Sequence, residues 1–281
     1  MRVLTTTRRR MKDTTRRTLH DGAFGVPLVL MVPAAAGLAF LVLPLAGLLV
    51  RAPWHAVATR MAGPPVLEAL RLSLVTSSAA TVAAVLGGVP LAWMLARVAF
   101  RGKGVVRALV TVPLILPPVV GGVALLALLG RHGLIGTWLG SSLHLTAPFT
   151  PAAVVLAETF MAAPFLVISV EGALRGADSR FEESATVLGA SRWTVFRRVT
   201  LPLVAPGIAA GVALCWARAL GEFGATVTFA GSFPGRPPTM PLAVYLALES
   251  DPEAAVALSL VLLLVSVTVL AVLRRHWVNA A

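Results

Sequence analysis

The segment Gly176-Ala-Asp-Ser-Arg-Phe-Glu-Glu-Ser-Ala-Thr-Val-Leu-Gly-Ala-Ser-Arg-Trp-Thr-Val-Phe-Arg-Arg-Val-Thr-Leu-Pro202 is a polar elbow between two apolar runs. Ser179 and Glu182 have capping-box spacing, which predicts a short helix from there to Leu188. Gly189, free to adopt the left-handed conformation, is placed to stop it. A second short helix is predicted from Ser191 until Pro202 ends the segment. Phe181, Ala185 and Leu188 share one face of the first helix, and Trp193 and Phe196 lie three apart on the second. Periodicity leaves two readings open: a docking device for a partner, or a helix lying at a membrane interface with Trp193 as its anchor.

What flanks the elbow decides the fold. Before it, Pro151 to Val170 is apolar except for Glu158, and after it a run from Leu203 continues past Arg218 towards Phe223. Four more runs have the same character: Val26 to Val50, Leu72 to Ala96, Ala108 to Gly130 and Ala254 to Leu273. Each is long enough for a helix through about 30 Å of hydrocarbon. The last opens behind Asp251 and Pro252, an N-cap and first-turn proline. Hydrophobic residues make up 57% of the 281 positions and charged residues only 13%, about half the charged share of a soluble domain. Inside lipid the backbone must satisfy its own hydrogen bonds, so these runs read as helices. They are too long and continuous for the alternating faces of a β-barrel. The predicted fold is all-α, a polytopic transmembrane bundle of six spans.

Charge gives the bundle a direction. Basic residues band together at Arg2, Arg8, Arg9, Arg10, Lys12, Arg16 and Arg17, then at Arg97, Arg101, Lys103 and Arg107. Further bands hold Arg175, Arg180, Arg192, Arg197 and Arg198, and finally Arg274 and Arg275. With both termini cytoplasmic, these 18 of the 24 basic residues fall inside, leaving Arg51, Arg60, Arg71, Arg131 and Arg236 outside and Arg218 within a span. That bias follows the positive-inside rule and places the elbow in the cytoplasm. A net charge of +12 distributed in such bands does not indicate nucleic acid. Residues 1–25, rich in threonine and arginine, are expected to be disordered and to meet anionic lipid heads. The run from Val26 to Val50 exceeds the apolar core of a signal peptide, so it is expected to stay as a first span. Residues 274–281 form a cytoplasmic tail.

Prolines and glycines cluster between Pro113 and Gly122, and a broken or kinked helix is expected there, as in the pathways of many transporters. Cys215, the single cysteine, reads as a small buried hydrophobe. His20, His55, His132, His144 and His276 are scattered without ligand spacing, which weighs against a membrane-bound enzyme; no metal and no cofactor is expected.

The elbow resembles the "EAA loop" of ABC-importer permeases. Glu183-Ser184-Ala185 is followed by Gly189, then by Val199, Leu201 and Pro202 at the family's spacings, with Ser184 in place of the usual alanine. The resemblance implies a type I importer permease fold from about residue 68 to 273, with spans near 68–96, 108–130, 151–170, 203–223 and 254–273. Residues 176–202 are its cytoplasmic coupling loop, and the span at 26–50 is an addition at the front. It also implies that Glu183, Ser184, Ala185, Gly189, Trp193, Phe196, Leu201 and Pro202 couple the chain to a cytoplasmic P-loop ATPase. No Gly-x-x-x-x-Gly-Lys-Ser/Thr run is present, so ATP hydrolysis belongs to that partner. The implied assembly is a homodimer with two ATPase copies inside and one extracytoplasmic binding protein outside, embedded in membrane lipids.

A narrower resemblance follows the fifth run. Arg218-Ala-Leu-Gly-Glu-Phe-Gly-Ala-Thr-Val-Thr-Phe-Ala-Gly231 and Thr239-Met-Pro-Leu-Ala-Val-Tyr245 are similar to the permeases of molybdate importers, with sulfate and thiosulfate permeases close behind. That implies molybdate, with tungstate, as the passenger and a molybdate-binding protein as the outer partner. From the residues themselves, Arg218 and Glu222 are i,i+4 neighbours, and Glu158 lies about two turns below the outer end of its span. Charges in lipid are costly and should pair inside the bundle, so Arg218 is expected to pair with Glu158 or Glu222 and to brace the outer pathway. Thr226 and Thr228 either line that pathway or satisfy backbone groups.

Overall fold

The computed structural model describes residues 28–55, 57, 63–231 and 237–278, with side chains at all of these but 28, 270 and 272–278. The segment 1–25 expected to be disordered lies outside the described residues, as do Arg60, Arg236 and the end of the tail. The chain divides into two compact units, Met1–Arg51 and Ala52–Ala281.

In the first unit, α1 (Leu28–Val50) is uncharged and carries Pro33 and Pro44 inside the helix. Nearly all of its described side chains are exposed, which suits a helix whose solvent is lipid.

The second unit holds α2 (Pro64–Arg97), α3 (Lys103–Ile115), α4 (Pro118–Leu129), α5 (Gly136–Leu143), α6 (Pro151–Gly176) and α7 (Arg180–Val187). These are followed by α8 (Arg192–Leu220), α9 (Gly224–Phe229), α10 (Met240–Ser250) and α11 (Pro252–Val278). No strand occurs among the described residues. Five helices, α1, α2, α6, α8 and α11, are long and apolar enough to cross a bilayer, and α3 with α4 make a sixth if that bent pair is one span. The break falls at Leu116 and Pro117, inside the predicted cluster, and bends the pair by 118°. Its cause is local. A residue before proline is pushed out of the helical region, and Leu116 and Pro117 are both extended, with ψ of 131° and 132°. Pro118 then starts α4, where a missing N–H costs nothing.

The core is a three-helix contact of α2, α6 and α8. Ala80, Ala84, Ala92 and Leu95 meet Ala162, Leu166, Val167, Val170 and Leu174, and Val204, Cys215 and Ala219 complete the cluster. Small residues dominate because helices in lipid associate by close packing. Gly207 is an extreme case, since a Cβ there would overlap that of Ala173. Cys215 is fully buried in this cluster, as a small hydrophobe would be. A second cluster joins Leu125 of α4, Ala153, Val154, Ala157 and Met161 of α6, and Ala225 and Phe229 of α9. Gly122 permits it: a Cβ there would stand 2.9 Å from the Ala225 carbonyl oxygen. At the start of α11, Asp251 Oδ1 accepts from Ala254 N at 3.1 Å, the cap its position predicts.

The elbow departs from expectation in two ways. Ser179 precedes α7 but makes no capping bond; its hydroxyl donates to Glu183 at 3.1 Å, and Glu182 is engaged elsewhere. Pro202 does not end the segment either. Ser191 accepts from Thr194 N at 3.2 Å to start α8, and that helix runs through Pro202 to Leu220. A π turn at Phe196–Thr200 makes this possible. There the Leu201 N–H reaches the Phe196 carbonyl, five residues back, so the ladder is already widened where proline would otherwise clash.

Candidate functional site

At the loop end of the bundle, α7 is an eight-residue helix with no buried residue. Phe181, Glu183, Ser184, Val187 and Leu188 are exposed, and Ala185 is half-buried. Gly189 takes a φ of +84°, the left-handed turn that lets Ala190 N reach the Ala185 carbonyl at 3.0 Å. Leu201 and Pro202 are exposed on α8. Trp193 and Phe196 stack at 5.7 Å between ring centroids, and Phe196 meets Trp93 of α2 edge-on at 6.4 Å. The two aromatics expected on the docking face are thus packed together against a spanning helix.

What fastens the loop was not anticipated. Glu182 Oε1 accepts from Arg97 Nη2 at 3.1 Å and from the buried Thr200 hydroxyl at 2.8 Å. One carboxylate therefore ties α7 to the end of α2 and to the π turn of α8. A second knot sits beside it, where Glu171 Oε1 accepts two bonds from Arg107 at 3.1 and 2.8 Å and lies 2.8 Å from Arg175 Nη2. Arg175 and Glu171 are four apart and so readable locally, but Arg107 belongs to α3.

Deeper in the bundle stand two carboxylates that are each 1% exposed, Glu158 and Glu222. They are within electrostatic reach of each other. Arg218 meets Glu222, with Nη1 2.5 Å from Oε2, and Ala225 N donates to the other oxygen at 2.8 Å. Glu158 accepts from the Thr76 hydroxyl at 3.0 Å, and its Oε2 has no hydrogen-bond partner among the described residues. Thr76 belongs to a row of buried hydroxyls on α2, with Ser73, Ser77 and Thr81, which sequence reading passed over. The two threonines of α9 separate cleanly. Thr228 donates to the Gly224 carbonyl at 2.8 Å, whereas the Thr226 hydroxyl is buried with no hydrogen-bond partner among the described residues. No group of three His, Cys, Asp or Glu that could hold a metal occurs among the described residues.

The arrangement contains a fastened, outward-facing loop at one end and costly buried charge in the bundle. Residues 88–279 match the family described as binding-protein-dependent transport system inner membrane component. The chain is 48% identical over 244 residues to the molybdenum transport system permease protein ModB of Mycobacterium tuberculosis, covering 87% of this chain and 92% of that one. It is 39% identical over 213 residues to ModB of Escherichia coli K12, covering 76% and 93%. Among solved structures, a bacterial alginate ABC transporter in complex with a periplasmic protein has a similar chain. Its TM-score is 0.70 at 20% identity, with 95% of this chain and 97% of that one covered, a likeness of fold.

Proposed function

Because the chain belongs to the inner membrane components of binding-protein-dependent transport systems, we propose that it is the permease subunit of an ATP-driven importer that carries molybdate, and tungstate with it, across the cytoplasmic membrane. The names borne by relatives at 48% and 39% identity over most of the chain support molybdate. The subunit is not itself an enzyme; ATP hydrolysis belongs to a partner chain.

The observation that carries the reading is α7, a helix with no buried residue whose root is tied by Glu182 to both α2 and α8. With both termini and the loop in the cytoplasm, α7 and the Gly189 turn seat in the ATPase subunit, with Glu183, Ser184 and Ala185 on the docking helix. Trp193 and Phe196, with Leu201 and Pro202, brace its return to the bundle. Movement of the seat is passed through Glu182 to α2 and along α8 to Arg218 and Glu222. Two copies of the chain enclose the pathway, with one binding protein at its outer mouth. Glu158, Arg218, Glu222 and Thr226 form the charged and polar network that braces it, and Thr228 serves the backbone. Closing and opening are then a shift between states biased by the ATPase, not a chemical step.

The test is reconstitution with the ATPase and binding protein in proteoliposomes. ATP-dependent uptake of molybdate, competed by tungstate and not by a large excess of sulfate, is the expected result. Uptake that sulfate suppresses as well as molybdate does would assign the chain to sulfate-type anions instead.

A further inference from the structure

Between α2 and the start of α8 lies a groove of about 390 Å³ lined by Val89, Pro90, Trp93, Arg192, Trp193 and Phe196. We propose that it is a specific site for one anionic phospholipid, with an acyl chain along the aromatic wall and the phosphate at Arg192 and the two indoles. The site follows from depth, shape and charge together.

Depth comes first. The 34 residues of α2 span about 51 Å, against roughly 40–45 Å for a bilayer with its headgroups. The last turns of α2 therefore stand at headgroup level. Val89 lies eight residues before Arg97, about 12 Å along the axis, so the groove runs from the headgroups into the upper hydrocarbon. Its walls are two membrane-crossing helices. At that depth the groove meets lipid rather than a water-borne subunit, and α7 remains the exposed part of the elbow.

The second line is chemical. Trp93 is 38% exposed and Trp193 68%, the amphipathic placement of aromatic residues at an interface. Neither indole N–H makes a hydrogen bond among the described residues, and Arg192 has no acidic partner among them. An unpaired guanidinium and two indoles thus border an apolar groove, the complement of a phosphodiester carrying acyl chains. Basic pockets between spanning helices are recognised sites for acidic headgroups.

The experiment is native mass spectrometry of the full-length chain, purified with its ATPase from membranes that contain phosphatidylglycerol and phosphatidylcholine. Retention of phosphatidylglycerol in preference to phosphatidylcholine is expected. Arg192→Gln should lower it about fivefold, the worth of one basic contact to an acidic lipid. Trp93→Leu and Trp193→Leu should lower it as well, while Arg198→Gln, exposed and outside the groove, should leave it unchanged. All four variants alter exposed or half-exposed positions, and an unchanged Tm in detergent reports that each is folded. Equal retention of the two lipids, or undiminished phosphatidylglycerol in Arg192→Gln, would overturn the proposal. Loss of the ATPase with lipid retained would also overturn it and assign the groove to that subunit.

Discussion

The four carboxylates that organise the bundle fall into two pairs with opposite physics. At the loop end, Glu182 and Glu171 each serve two partners; Glu182 is itself partly exposed, and Glu171, though buried, is paired with two partly exposed arginines. Deeper in, Glu158 and Glu222 are sealed to 1% exposure, with Arg218 beside Glu222 alone and an oxygen of each unmatched by an aligned donor among the described residues. Fastening needs only the first kind, because an ion pair with at least one partly hydrated member and a shared carboxylate costs little. The second kind is expensive in lipid, and a bundle selected for stability alone would replace it with packed apolar residues. Charge at the loop end holds pieces together, and charge in the interior is what the proposed pathway would use.

The sharpest way to break that contrast is Arg218→Met, which leaves Glu222 buried and without a cation. A loss of about 3–5 kcal/mol is expected, seen as a lowered Tm in detergent, with Arg218→Met/Glu222→Gln recovering most of it. If the single change costs no more than Arg97→Met at the loop end, the two pairs are alike and the contrast fails. Next in size is Glu171→Gln, which turns Arg107 and Arg175 towards each other without a shared anion. With both arginines partly solvated, about 1–2 kcal/mol is expected by the same measurement.

Glu182→Gln should separate fastening from stability. Its Tm should move little, while uptake per ATP hydrolysed in proteoliposomes falls by a coupling energy of about 0.5–2 kcal/mol. Unchanged coupling would mean that the knot at Arg97 and Thr200 is only structural. The smallest effect is expected from Gly189→Ala, which forces a side chain into a φ of +84° at a cost of about 1–2 kcal/mol confined to the loop. Proteolysis within residues 185–192 should quicken while the bundle's Tm holds.

How much of this was legible depended on whether a contact is local. Arg218 and Glu222 are one turn apart, so their pairing was within reach of spacing. The break at Leu116 and Pro117 was written in consecutive prolines. Glu182 was read as a capping partner for Ser179 because the two are three apart; its real partner, Arg97, is 85 residues away, and no local pattern points there. Pro202 was read as a stop because proline usually is one. The π turn that admits it depends on the loop and helix being held together by Glu182 and Thr200, a tertiary condition. Thr226 and Thr228 are alike in sequence, and only packing leaves one satisfied and the other not.

The π turn has a mechanical consequence. From Arg192 to Leu220, α8 is one rod of 29 residues, about 43 Å long, with the loop at one end and Arg218 in its last turn. A push on the loop is therefore felt at the buried charges as tilt and twist of a single lever. The widened turn at Phe196–Thr200 is where that lever has play. Closing it into regular α-helix would change the phase of the helix beyond it by about 100°. A rotation of that size at the root of the rod is enough to swing a different face of α8 towards its neighbours while the backbone hydrogen bonds of the turn alone find new partners.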